Sequence, residues 1–366
     1  MRSTHSNRLE RWLGTERIER LSASMRGWYG PPIPILDVPG SVKIHGDGDF
    51  SGPFERGVFW SAMDALGEAF KRAAKVDPNT FYAGFTSISD ALARASGGYG
   101  QVRSFQKTGP TGVAGATSSL WRLGAVPPAG AAPAGVAGGT VYTSASTGAF
   151  GFANPASGTN HLVGADVSAS IINNSVLIYD LLFGCNKAMA SVAAEAVTGV
   201  PTRYQSTTAT NPDYIGGNFL FIQVGGTALA ATAHNWTVCT YLDQANAAST
   251  MPSLVGNASA IIDRLDHPLQ QWFAPLEAGD VGIKALTQMQ CSASVATGVV
   301  WFMIGHPLGV MSFPVINSVL PFDWLTNRNQ APRIFDNACI SFLEMLKPAT
   351  TATAYTGTVW ATGAAP

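Results

Sequence analysis

The chain has 366 residues, of which 46% are hydrophobic and only 12% charged, and its net charge is −1 at pH 7. Ordinary soluble domains carry ~25% charged residues, so this surface is built largely from Ala, Ser, Thr, Gly, Asn and Gln. Such weak charge protects a monomer poorly against association, which points to a surface that lies against other subunits; the alternative is a secreted β protein with a Ser/Thr-rich surface. The sequence has no long apolar run of membrane-helix length, and the polar start MRSTHSNRLERW does not read as a signal peptide.

The first 108 residues hold 14 basic and 11 acidic side chains, whereas the remaining 258 hold 8 and 12. Between Arg122 and Asp166 there is no charge at all. This shift marks a boundary near residue 108. Within the charged part, SNRLERWLGTERIERLSASM places Leu9, Trp12, Leu13, Leu21 and Met25 at helical spacing. GWYGPPIPILDVPG, at 27–40, predicts an extended arm, because each proline bars its predecessor from a helix. Pro53 suits the start of a second helix, with Phe59, Met63, Leu66 and Phe70 as its apolar stripe. SISDALARAS, from Ser87, predicts a third.

Residues 109–160 form a Gly/Ala/Pro-rich extended segment whose centre, VPPAGAAPAGVAGGT at 126–140, has no charge. Small side chains allow close backbone approach, so the expectation is a segment lying in a groove between subunits. From 161 to 347 the chain predicts a β body. HLVGADVSASIINNSVLIYDLLF reads as two strands turning at Asn173 and Asn174. NFLFIQV, HNWTVCTYLD, GIKALTQMQCSASV, GVVWFMIGHPLGVM and NACISFLEML read as further strands, rich in β-branched and aromatic residues. AMASVAAEAV, at 188–197, reads as a helix. The Thr/Ala-rich tail, 348–366, predicts an edge strand added to a neighbour. The fold class is therefore mainly β: a jelly-roll-like β-sandwich with an N-terminal helical and extended-arm region.

Motifs for chemistry are weak. In HGDGDF, Asp47 and Asp49 alternate as in a calcium loop, but no later bidentate Glu follows, and Asp-Gly equally marks a turn. DRLDHP sets Asp263 and Asp266 beside His267 without a nucleophile elbow, which favours a hydrogen-bonded corner or a subunit contact. His306, before Pro307, predicts a buried histidine at a strand end. KTGPTG, at 107–112, has its Lys on the wrong side for a phosphate loop. The sequons at Asn235 and Asn257 matter only in a secretory protein. Cys185, Cys239, Cys291 and Cys339 stand roughly fifty residues apart with no CxxC, so buried free thiols are expected. Basic residues interleave with Glu and form no stripe, so no dedicated nucleic-acid binding is expected. No catalytic residue, cofactor site or metal site is assigned.

RGWYGPPIPILDVPG, GVPTRYQSTT, HNWTVCTYLDQAN, QWFAPLEAGDVGIKALTQMQCSA and IGHPLG resemble segments of virion structural proteins of tailed bacteriophages. The likeness covers most of the chain and assigns a role to no single residue. It implies a non-enzymatic virion subunit, assembled in the bacterial cytoplasm. A head-decorating (cement) protein fits the β body best; a shell protein, or a tail or receptor-binding part, is the alternative. Partners would be copies of itself, as a trimer by fold analogy, and the major capsid protein or other virion proteins. Contacts are expected from Trp28, Tyr29, Pro31, Pro32 and Pro34 of the arm, from Pro127, Pro128 and Pro133, and from Tyr355 and Trp360 of the tail. A carbohydrate-binding face would draw on Trp236, Tyr241, Trp272 and Trp301. A polysaccharide depolymerase, the reading of different class, would need two of Asp263, Asp266, Glu277 and Asp280 across a cleft.

Overall fold

The computed structural model describes residues 100–154, 160–207, 216–324, 331–345, 347 and 350–363. The chain divides into two compact units, Met1–Ala69 and Phe70–Pro366, and every described residue lies in the second. The three expected helices, the proline-rich arm with Trp28, Tyr29, Pro31, Pro32 and Pro34, and the HGDGDF turn lie outside the described residues.

Among the described residues there are strands and loops but no helix. In chain order the strands are β1 Gly100–Thr108, β2 Ser118–Ser119, β3 Thr140–Val141, β4 Asn160–Ala169, β5 Asn174–Ala188, β6 Glu195–Ala196, β7 Phe219–Val224 and β8 Asn235–Asp243. They continue with β9 Ala248–Thr250, β10 Leu254–Val255, β11 Ile283–Cys291, β12 Val299–Phe313, β13 Leu320–Asp323, β14 Arg333–Ile334, β15 Ile340–Met345 and β16 Ala354–Gly363. They make three sheets, all antiparallel. The first runs β1-β16-β4-β13, with β14 also on β4. The second runs β2-β15-β5-β12-β7, with β3 on β5. The third runs β10-β8-β11-β6, with β9 on β8.

The core explains why the central strands do not alternate in sequence. On β5, Val176 and Ile178 join a core with Leu162, Val167, Phe342 and Tyr355, between the first and second sheets. Leu177, Tyr179 and Leu181 point the other way, into a cluster with Trp121, Phe221 and Trp301. A bulge then skips Leu182, since pairing with β12 passes from Phe183–Ile304 to Leu181–Gly305. Beyond it Phe183 and Cys185 enter a third core, shared with Trp236, Cys239 and Met289 of the third sheet. A strand covered on both faces reads as a continuous apolar run, as VLIYDLLFGC does.

Several expectations change. Segment 188–197 is a turn followed by β6, which pairs with β11 at Gln288 and Met289. Val197 is buried and Glu195 meets the buried Lys187, so tertiary contacts outweigh the helix propensity of the alanines. The β body also reaches beyond both expected boundaries. β1 lies inside the charged 1–108 region, and β16 lies inside the tail. The tail is no edge strand for a neighbour: β16 sits between β1 and β4 of its own sheet. β4 and β5 exist as expected but belong to different sheets, and Asn173, at φ 56°, turns the corner between them. His306 is not at a strand end, because β12 runs on through Pro307 to Phe313. Pairing with β7 stops at Gly305, so Pro307 sits where one edge has no partner strand to lose a hydrogen bond to.

Segment 126–140 is held by its own chain. The Trp121 indole donates to the Ala131 carbonyl at 2.9 Å, and Gly130 N–H donates to the Trp121 carbonyl at 2.7 Å. Asn186 Nδ2 donates to the Pro133 carbonyl at 2.6 Å. A Cβ on Gly130 would stand 2.1 Å from the Trp121 ring. Small side chains do permit close approach here, to Trp121 and β5 of the same chain.

Candidate functional site

Of the sequence-selected contact residues, Pro127 and Pro133 are buried and Pro128 is exposed. Tyr355 is fully buried and donates to Glu344 Oε1 at 2.9 Å, so it serves the interior. Trp360 is 43% exposed on the outer face of the first sheet, opposite Val102, which is 57% exposed. Strand alternation puts Ser104 and Gln106 of β1, Thr356 and Thr358 of β16, and Ser168 of β4 on that same face. The Trp360 indole leans along its strand and donates to Thr358 Oγ1 at 2.8 Å. The result is a Ser/Thr-rich face that also carries Asp166, opposite Thr358, and two exposed apolar residues, Val102 and Trp360.

A second apolar surface escaped the sequence reading. Two loops, 170–173 and 314–319, are tied by Asn173 N–H to the Phe313 carbonyl and Asn317 N–H to the Ala169 carbonyl, both at 2.8 Å. They present Ile172, Val315, Ile316 and Val319, each at least 42% exposed. Neither loop carries a charge. The signal was there in SIINNS and FPVINSVLPF: apolar residues set beside Asn and Pro in turns, where a core has no use for them.

The residues weighed for chemistry are engaged structurally. Asp266 is fully buried and accepts from His234 Nε2 at 2.9 Å, Trp236 Nε1 at 2.9 Å and Asn257 N–H at 2.5 Å. His234 Nδ1 lies 3.0 Å from the Thr232 carbonyl. Both ring nitrogens thus face oxygen acceptors, an arrangement that favours the imidazolium. Burial lowers the pKa of His234, but the hydrogen bond and charge of Asp266 outweigh it and the net direction is up. His267 Nε2 accepts from Ile222 N–H at 2.8 Å, which fixes a neutral ring, and burial holds its pKa down at about 4. DRLDHP is thus a hydrogen-bonded corner. Asp263 takes Gln223 Nε2 at 3.1 Å, with burial raising its pKa to about 6. Asp280 accepts from Tyr241, whose hydroxyl in turn accepts from Glu277 N–H.

Trp236, Tyr241 and Trp301 are buried, so they form no carbohydrate face; Trp272 is half-buried against Phe219 and Phe273. His306 is buried, stacks on Tyr204 at 3.9 Å and lies 2.8 Å from Asn218 Oδ1; burial lowers its pKa to about 3. All four cysteines are buried free thiols. Among the described residues, no three His, Cys, Asp or Glu side chains gather as a metal site, and no helix is long and apolar enough to cross a membrane. The shallow cleft lined by Tyr204, Asn218, Gln244 and Lys284 has room for about 10 Å³, the space of a single water and far below the ~300 Å³ of ordinary small-molecule sites.

No family model matches the chain, and neither does any curated protein or solved structure.

Proposed function

We propose that the first two sheets are those of a jelly roll, and that the chain is a non-enzymatic structural subunit of a tailed-phage virion, a capsid decoration (cement) subunit. The observation that carries this reading is the nesting of strands. Counted inward from both ends, β1 pairs with β16, β2 with β15, β4 with β13 and β5 with β12. A long antiparallel hairpin rolled about itself gives two sheets in the orders first-last-third-sixth and second-seventh-fourth-fifth, which are the orders found. Double-sheet jelly rolls build viral capsid and lectin domains. The third sheet and β7 then form an insertion between the fourth and fifth strands of the roll.

Fold alone does not assign function. The surface adds to it: scarce charge, a Ser/Thr face and an uncharged loop tip suit a subunit that docks on copies of itself and on a capsid lattice. The depolymerase reading loses support, because Asp263 and Asp266 are buried and hydrogen-bonded rather than set across a cleft. Trp360 on its Ser/Thr face favours one second reading, a receptor-binding part that recognises glycans.

The test is light scattering of the purified chain over a wide concentration range, followed by mixing with undecorated phage heads. A trimer or larger assembly that is taken up by heads is the expected outcome. A monomer at every concentration that ignores heads overturns the decoration reading, and retention on a glycan array then favours the second one.

A further inference from the structure

Four buried polar residues meet where β5 begins and where β15 gives way to β16. Glu344 is 0% exposed, while Lys347 and Asn174 are each 1% exposed. Glu344 reaches the other three, Asn174, Tyr355 and Lys347. Its Oε1 accepts from Asn174 Nδ2 at 3.0 Å and from Tyr355 at 2.9 Å, and its Oε2 faces Lys347 Nζ at 3.7 Å. That Oε2 has no hydrogen-bond partner. Lys347 donates to the Pro110 carbonyl. The Gly109 backbone closes the cluster so tightly that a Cβ there would stand 2.4 Å from Glu344 Oε2.

As an ion pair this is poorly made. A buried ammonium and carboxylate stabilise only with close contact and satisfied hydrogen bonds, and here the contact is long and one oxygen is bare. As a reaction site it is well made. Burial lowers the pKa of Lys347, although Glu344 pushes it back up, so the net direction favours the nucleophilic amine. Ser175 N–H donates to Asn174 Oδ1 at 2.7 Å, which polarises the amide carbonyl and awaits an oxyanion. Nδ2 is ringed by Glu344, Thr353 and Tyr355 oxygens, positioned to exchange protons with the leaving nitrogen.

We propose that Lys347 and Asn174 become joined by an intramolecular isopeptide bond, with Glu344 moving the protons. Glu344 Oε2 takes a proton from the Lys347 ammonium. The freed lone pair on Nζ attacks Asn174 Cγ, and the Nζ–Cγ bond forms as charge moves to Oδ1. Glu344 delivers its proton to Nδ2 and takes up the one that Nζ sheds. The Cγ–Nδ2 bond breaks and ammonia departs. A primary amine and a primary amide become a secondary amide and ammonia, and nothing is oxidised or reduced. For this step Lys347 must leave the Pro110 carbonyl, and Glu344, which touches both groups, bridges them. The bond would tie the start of β5 to the end of β15, and it stands whether or not the chain is a virion subunit.

The experiment is intact-mass spectrometry of the full purified chain, unfolded before injection, with peptide mapping. The expected chain is lighter than its sequence by one ammonia, with a branched peptide joining residues 174 and 347. Lys347→Arg and Glu344→Gln should each restore the full sequence mass, while Asn174→Asp should lose water in place of ammonia. Wild-type chain at full sequence mass after long incubation at neutral pH overturns the proposal. So does an ammonia loss that maps to a succinimide at another asparagine, with no branched peptide. The wild-type result decides the matter even where a variant fails to fold.

Discussion

Asp180 and Glu344 lie on paired strands, four register positions apart, and both are fully buried, yet their surroundings are opposites. Asp180 receives a two-pronged grip from Arg203, Nε at 2.8 Å and Nη2 at 2.7 Å, and a third bond from Cys339 N–H at 2.9 Å. Arg203 spends its other donors on the Tyr142 and Leu181 carbonyls. Both carboxylate oxygens and four of the five Arg203 N–H donors are matched, close to what a buried ion pair requires. Around Glu344 one oxygen is unmatched and its lysine stands off. The first cluster has nothing left to do but hold the 199–207 loop onto β5. The second keeps a nucleophile, an amide and a proton carrier together with the lysine–carboxylate contact left long. A cluster closed on itself is architecture; one left open is a place where chemistry has room.

The largest expected effect breaks the closed cluster. Arg203→Leu leaves Asp180 buried without its cation and should cost about 3–5 kcal/mol in chemical denaturation. An unchanged midpoint would mean that Asp180 is not held as described. Acid should act next. His267 and His306 have folded pKa values of about 4 and about 3, below their ordinary 6.5. The neutral rings thus contribute stability that is full above about 6.5 and lost as pH falls toward 3, with His267 alone worth about 3 kcal/mol at full protonation.

His234 works in the other direction. Its folded pKa is raised, so its contribution is full below 6.5 and lost as pH rises through the raised value. Asp263, held up at about 6 by burial, works against the acid fall, because its protonation stabilises the fold as pH drops from 6; the clear acid loss should therefore come toward pH 3, and His234→Gln should lessen the fall above pH 6.5. A smaller loss follows from thinning the open cluster: Tyr355→Phe removes one donor to Glu344 and should cost about 1–2 kcal/mol by thermal unfolding. The smallest stability effect belongs to the loop tip. Ile316→Lys with Val319→Lys should leave the unfolding midpoint within about 0.5 kcal/mol while weakening self-association in light scattering. Loss of the fold, or assembly unaffected, would separate the tip from docking.

The long strands were readable because they announce themselves. NFLFIQV, HNWTVCTYLD and GVVWFMIGHPLGVM are dense in β-branched and aromatic residues, and each is a strand. Topology was not readable, since nothing in HLVGADVSAS says that it pairs with residues 354–363 rather than with the strand that follows it. AMASVAAEAV misled because alanine favours a helix locally, whereas Lys187 needed Glu195 beside it. Tyr355 looked like part of a surface tail until its pairing with Lys107 and Ala169 put it in the core. The Glu344 cluster joins residues up to 181 positions apart and has no spacing signature. The one available hint was charged residues, Glu344 and Lys347, at the end of an apolar strand.

The pairing of β1 with β16 has a consequence for biosynthesis. On a ribosome the N-terminal half of this fold emerges long before its partner strand, so β1 and β4 wait with bare edges until residues 354–363 are made. Contacts this distant in sequence close slowly and leave strand edges open to other nascent chains in the meantime. A ribosome that stalls before residue 354 would release a chain with two adhesive edges, and expression slow enough to keep such chains apart should raise the folded yield.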